Sequence, residues 1–218
     1  MEAVTWVLMG GANLKRMLVI RMRKSWLRSN HRVRLTRDLT PIIGQLKGVV
    51  LDIGGGREAP LDAAWPATAY RCRLDAFPHI KPHVVGDAMT LPIRPASVDG
   101  VLMSEVLEHL PSPTDALAEA RRVLRPGGLI CGSVPFLFAI HGDPQDYWRY
   151  TDSTLRSLLA AAEFKDIIVI PHGNRFTVAW TLLCGDASWP RLLNPLVRRL
   201  FRAESAQSPE GYVFSAVS

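Results

Sequence analysis

A chain of 218 residues, 48% apolar and 21% charged, can bury one full core and still carry extensions. Its three cysteines, Cys72, Cys131 and Cys184, are far apart and form no CxxC pair, which excludes a disulfide framework and a cysteine-based zinc site. The net charge of +6 is lopsided: residues 1–50 hold ten Lys or Arg against two acids, and the remainder holds sixteen against eighteen.

The basic excess therefore belongs to an arm over residues 1–46, ahead of a domain at 47–218. In the arm Lys15, Arg16, Arg21, Arg23, Lys24 and Arg28 alternate with Leu14, Met17, Leu18, Ile20, Met22, Trp26 and Leu27. That pattern suits an anionic membrane surface or a nucleic acid, and equally a helix packed on the domain with a solvated basic face. Residues 1–14 lack the basic n-region and cleavage pattern of a secretory signal, and no apolar run reaches 18 residues. The expectation is a cytoplasmic protein, with peripheral contact at the inner membrane surface left open.

The first strand is expected at 49–53, where Val49, Val50, Leu51 and Ile53 follow one another with only Asp52 between them. Gly54, Gly55 and Gly56 come next, a turn without Cβ atoms between the backbone and a ligand. An acid just before such a turn suits a cationic or donor-rich ligand and suits a pyrophosphate poorly. Further strands are expected at 69–74, 83–86, 98–103, 128–134, 166–170 and 211–217. A helix at 113–124 is marked by Ala116, Leu117, Ala120, Val123 and Leu124, with Ser112 or Thr114 as cap and Pro126-Gly127-Gly128 as stop. A second helix follows Thr151 or Asp152 over 153–162. Residues 174–208 read as a helical cap or insertion, rich in Phe176, Trp180, Trp189 and leucines. This alternation predicts an α/β fold: a doubly wound, seven-stranded, mostly parallel, Rossmann-like sheet. Four of the six tryptophans, Trp6, Trp26, Trp180 and Trp189, fall in the arm and the cap, which favours a shared apolar patch.

Five motifs stand in order: Val50-Leu51-Asp52-Ile53-Gly54-Gly55-Gly56, Arg73-Leu74-Asp75, Gly86-Asp87-Ala88-Met89-Thr90-Leu91-Pro92, Ser104-Glu105-Val106-Leu107-Glu108-His109-Leu110, and Ala120 to Leu129 with its Arg125-Pro126-Gly127-Gly128 turn. Over residues 49–164 the sequence resembles the class I S-adenosylmethionine (SAM)-dependent methyltransferases of the small-molecule group called type 11. The resemblance implies SAM as cofactor. Asp52 with Gly54, Gly55 and Gly56 would hold its methionine end, and Asp75 with Ala76 its ribose. Asp87, Ala88 and Met89 would hold its adenine. Ser104 and Glu105 would sit where methionine and acceptor meet. The family usually has a glycine two places after Gly56, where this chain has Glu58. Pro60 and Pro66 leave room for only a short helix there.

The segment after the fifth strand, from His141 to Thr151, is dense in polar and aromatic groups and resembles loops of bacterial type 11 enzymes encoded with surface-glycan pathways. His141 is the expected base, oriented by Asp146 or Asp143, with Tyr147, Arg149 and His109 toward the acceptor. An alternative is a structural corner of Asp146, Arg149 and Tyr150. No metal site is expected. The expected activity is methyl transfer to a small-molecule, glycan or lipid-linked acceptor, at oxygen. Alternatives are an RNA methyltransferase using the arm and a non-catalytic adaptor. An NAD-dependent oxidoreductase is the weaker option, because Gly54 to Ala59 also satisfies G-x-G-x-x-A.

Overall fold

The computed structural model describes residues 30–56, 61–142, 145–184 and 207–218. Residues 1–29, Glu58, Pro60, Asp143 and most of the expected cap, 185–206, lie outside them.

Seven strands form one sheet: β1 (Gly48–Ile53), β2 (Ala69–Asp75), β3 (Val84–Val85), β4 (Val98–Ser104), β5 (Leu124–Pro135), β6 (Lys165–His172) and β7 (Gly211–Val217). Their order is β3-β2-β1-β4-β5-β7-β6. The first five are parallel, and β7 runs antiparallel to both β5 and β6. The carboxyl ends of β1 to β5 therefore share one edge, where open α/β sheets bind ligands.

Period-two alternation divides the strand side chains between two layers. Leu51, Ile53, Val101, Met103, Ile130, Val134 and Phe214 face one layer, with Ala116, Leu117 and Ala120 of α2 (Pro113–Val123) and Leu155 and Leu159 of α3 (Asp152–Ala161). Val50, Leu102, Cys131 and Val213 face the other. That second layer is covered by α1 (Asn30–Ile43), whose Leu35, Leu39, Ile42 and Ile43 recur at helical spacing. Helix α4 (Arg175–Cys184) follows β6 and turns Phe176, Leu182 and Leu183 outward.

The part of the expected arm from Asn30 onward is thus a packed helix that completes the core. Thr151 caps α3 as expected, its hydroxyl accepting from the Thr154 amide at 3.2 Å. Neither Ser112 nor Thr114 caps α2. Their hydroxyls bond each other at 3.0 Å, and Pro113 opens the helix instead.

In the connections between β1 and β4 the only helical elements among the described residues are short 3-10 turns, Asp62–Ala64 and Pro78–Ile80. Six prolines (Pro60, Pro66, Pro78, Pro82, Pro92 and Pro95) account for this, since each removes a helical donor and crowds the preceding turn. Among the described residues no helix is long and apolar enough to cross a membrane.

Candidate functional site

At the carboxyl edge the chain leaves β1 through Gly54 (φ +70°) and Gly56 (φ +57°), a conformation that disfavours residues with a Cβ. Gly54 donates to the Leu74 carbonyl at 2.8 Å, which ties the turn to the end of β2. A Cβ on Gly54 would lie 2.7 Å from Val106, and one on Gly55 only 2.1 Å from the Asp52 carboxylate. Among the described residues, a Cβ on Gly56 would meet nothing within 4 Å.

Asp75 ends β2 and is 8% exposed. One carboxylate oxygen accepts from the Phe77 amide at 2.9 Å, fixing the side chain in a local turn. The other oxygen accepts from no described residue. Ala76 beside it is exposed. The Asp75 carbonyl accepts from Gly86 at 3.1 Å, which brings Asp87 into the same row. Asp87 accepts from the Met89 amide at 2.8 Å, so that amide is spent inside the loop, while Ala88 is buried. The glycine turn, Asp75 and Asp87 thus lie at consecutive strand ends, β1, β2 and β3.

Two acids expected to meet the cofactor already have partners within the protein. Asp52, 2% exposed, receives the Arg71 guanidinium, with Nε at 2.8 Å and a second nitrogen at 2.7 Å. Burial raises its pKa and the Arg71 charge opposes that rise. Glu105 leaves β4 with a left-handed backbone (φ +55°), anchored by its amide to the Ser133 carbonyl at 3.0 Å. Its carboxylate lies 3.4 Å from His31 Nε2 of α1. Burial pushes this acid up, but the His31 imidazolium outweighs burial and holds it at about 2. Ser104 bonds Ser133 through its hydroxyl at 3.0 Å.

His31 belongs to a buried charge cluster that the sequence does not announce. Its Nδ1 lies 3.8 Å from Glu210, which also takes two nitrogens of Arg34, at 3.1 and 2.7 Å, and the Thr181 hydroxyl at 3.0 Å. His172 is fully buried, with its ring 5.3 Å from that of His31. The signal for this cluster was weak, because its members come from α1, β4, β6 and the approach to β7.

The loop after β5 folds back over the turn Leu107–His109. Tyr147 donates its amide to the Glu108 carbonyl at 2.8 Å, and Trp148 Nε1 donates to the Leu110 carbonyl at 2.9 Å. Asp146 takes both terminal nitrogens of Arg149, one at 2.6 Å, and the His141 amide at 2.8 Å. Burial would raise the Asp146 carboxyl, but Arg149 prevails and it lies at about 2. His141 Nδ1 stands 3.4 Å from the same carboxylate, and burial lowers the His141 pKa, which favours the neutral ring. The expected pairing of His141 with Asp146 and the alternative corner of Asp146 with Arg149 therefore coexist. Tyr150 is not part of the corner. It is 1% exposed, with its hydroxyl on the Leu107 carbonyl at 2.8 Å. Tyr147 and Trp148 remain half-exposed, and Tyr147 bonds the Gln145 side chain. His109 turns Nδ1 to the Gln145 carbonyl at 2.5 Å. Glu108, present in the motif but given no role from sequence, lies wholly buried between the two histidines. A separate cavity of about 480 Å³, lined by Ala96, Arg121, Pro126 and Glu163, opens at the opposite edge of the sheet.

Comparison with known proteins agrees with this fold. A family model described as a methyltransferase domain, type 11, matches residues 51–132. A 37.1 kDa protein of a transposon in Streptomyces fradiae is 43% identical over 65 residues, 30% of this chain and 19% of that protein. The ubiquinone/menaquinone biosynthesis C-methyltransferase of Paracoccus denitrificans is 53% identical over 45 residues, 21% of this chain and 18% of that one. The chain thus spans about a fifth of each of these relatives. A SAM-dependent methyltransferase of Thermotoga maritima, named as a possible histamine N-methyltransferase, superposes with a TM-score of 0.64 at 16% identity, covering 93% of this chain and 96% of its own. With its glycine turn and strand-end acids inside the matched segment, residues 51–132 match the methyltransferase-domain model, and the chain takes the fold of the Thermotoga maritima protein.

Proposed function

We propose that this protein transfers the methyl group of SAM to a hydroxyl of a small-molecule or glycan acceptor. The observation that carries the reading is the meeting of the Gly54 to Gly56 turn, Asp75 and Asp87 at three adjacent strand ends. The free oxygen of Asp75 suits ribose hydroxyls, which donate well to a carboxylate. Among the described residues, Gly56 leaves space for a ligand against bare backbone. With Arg71 neutralising Asp52, the turn would offer the amino end of the cofactor backbone carbonyls and not a free carboxylate. Bound there, SAM supplies an electrophilic methyl on a sulfonium, whose displacement needs positioning above all.

The acceptor side is the loop from His141 to Thr151. Exposed Tyr147 and Trp148 offer flat apolar faces beside polar groups, a surface that suits a sugar ring. The polar groups of this edge, two imidazoles and a carboxylate among them, suit an acceptor that must lose a proton, as a hydroxyl must.

Calorimetric titration with S-adenosylhomocysteine tests the cofactor half. Saturable binding is expected, weakened at least tenfold in Asp75→Ala, the scale of about 1–3 kcal/mol for an unpaired polar partner. No binding by the parent chain, or no change in the variant, overturns it. Incubating cell extract with the protein and isotopically labelled SAM, followed by mass spectrometry, reads the acceptor. Label on carbon or nitrogen, or on RNA, overturns the acceptor half.

A further inference from the structure

Glu108 has no surface exposed, and neither of its carboxylate oxygens has a hydrogen-bond partner. An unpaired buried carboxylate costs several kcal/mol, so a proton or a cation is expected on it. Among the described residues no arginine or lysine hydrogen-bonds it. What faces Glu108 Oε1 is His109 Nε2 at 3.7 Å and His141 Nε2 at 3.8 Å.

The far nitrogens of both rings settle the tautomers. His109 Nδ1 lies against the Gln145 carbonyl, which only accepts, so Nδ1 carries the hydrogen. His141 Nδ1 faces the Ala139 carbonyl at 3.3 Å and Asp146 at 3.4 Å, again acceptors only. Each Nε2 therefore turns a lone pair toward a carboxylate that has lone pairs of its own. A proton on Glu108 answers one imidazole at a time. A cation answers all three donors together, which lie within 4.8 Å of one another.

We propose that Glu108, His109 and His141 form a binding site for one divalent transition-metal ion, through one carboxylate oxygen and the two Nε2 atoms. A donor set of two imidazoles and one carboxylate suits Zn²⁺ and its first-row neighbours, whereas Mg²⁺ and Ca²⁺ prefer oxygen alone. Tetrahedral bonds of about 2.0–2.1 Å put ligand atoms roughly 3.4 Å apart, so the Glu108 oxygen and each Nε2 close by a few tenths of an ångström on loading, and the two rings draw together. The outer contacts have the form found around ligating histidines, with each Nδ1 held by a carbonyl or carboxylate. Arg149 holds Asp146 in place, and the Tyr147 amide on the Glu108 carbonyl locks loop to turn. The imidazoles, 14–15% exposed, form the side open to solvent, where an ion enters and keeps positions for water. His141 would then serve as a ligand and not as the base expected from sequence.

The inference rests on these side chains and not on the methyl-transfer reading, so its test is independent of turnover. The whole chain, stripped with chelator, is titrated with ZnSO4 at pH 7 by calorimetry, and with CoCl2 while visible absorption is followed. One ion per chain is expected. His141→Ala and Glu108→Gln should each weaken binding at least tenfold and remove the rise in melting temperature that Zn²⁺ gives the parent. S-adenosylhomocysteine affinity serves as the fold control and should persist in both variants; if no parent binding exists, far-ultraviolet circular dichroism replaces it. No saturable ion binding overturns the site. So does binding of unchanged affinity in both variants, which would move the ion elsewhere, to the buried His31, His172 and Glu210 group or to a cysteine. A Glu108→Gln chain that is more stable than the parent and binds no ion in either form would assign a proton, and the proposal would fall.

Discussion

Asp52 stands in the wall of β1 at 2% exposure, and the nearest compensation for its charge is Arg71, from the neighbouring strand β2. Removing one member of a buried pair is costly because the other stays desolvated, whereas replacing both is far milder. Arg71→Met should therefore lower unfolding free energy by about 3 kcal/mol in urea denaturation. Adding Asp52→Asn should recover most of that loss. A single variant that costs under ~1 kcal/mol would mean that the pair is not structural. The same residues mark what sequence could and could not tell. A glycine turn and an acid at a strand's end are local features, so Gly54 to Gly56, Asp75 and Asp87 were legible with their places. The partner of Asp52 lies 19 residues away and depends on strand register, which no local pattern states. Glu108 was invisible for a related reason. Its meaning depends on His141, brought over it by a loop that returns from the next strand.

Strands were the most readable elements. Runs such as Val50 to Ile53 lie in parallel strands buried on both faces, and continuous apolar sequence is their natural signature. Helix α1 was harder, because His31, Arg32, Arg34 and Arg37 gave the segment the character of a basic arm. Yet Leu35, Leu39, Ile42 and Ile43 keep helical spacing, and Arg34 turns inward to Glu210. Charge content masked a core-facing stripe. The connections between β1 and β4 erred the other way, since a doubly wound sheet leads one to expect helices and the prolines forbid them. With no α-helix among the described residues of those connections, α1 supplies the cover over Val50 and Leu102. Leu39, with no exposed surface, is its centre. Leu39→Ala should cost about 2–4 kcal/mol, the range for a leucine deleted from a packed core. Equilibrium denaturation reads it directly. A loss under ~1 kcal/mol would make α1 a loosely attached appendage.

Across the whole molecule, one buried cluster joins α1, the end of β4, β6 and the residue before β7, and it couples stability to pH. Burial would push the His31 imidazolium down, but the carboxylates of Glu105 and Glu210 outweigh burial and raise its pKa to about 9. His172, facing the same cluster, is lowered to about 4 by burial and then by the His31 charge. Arg34 and Arg32 add positive charge around the two acids. A group with a raised pKa gives its full stabilisation below its unfolded value and loses it as pH climbs through the folded value. For His31 that loss runs from 6.5 to about 9. His172 works in the other direction. Its folded form resists the proton that the unfolded chain accepts, so stability declines as pH falls from 6.5 toward about 4. Glu105, held at about 2, contributes the same acid-side loss at lower pH, below its ordinary 4.5. The cluster thus predicts maximal stability near pH 6.5, with a decline on the order of 3 kcal/mol by pH 9. Urea denaturation in steps from pH 5 to pH 9 measures both limbs. His31→Gln should flatten the alkaline limb and, with its charge gone from beside His172, soften the acid one, while His172→Asn should make the acid limb shallower and leave the alkaline one. A parent chain whose stability is level between pH 6.5 and pH 9 would show that His31 carries no charge in the fold, and the link it forms between α1 and the strand-end acids would then be a neutral contact.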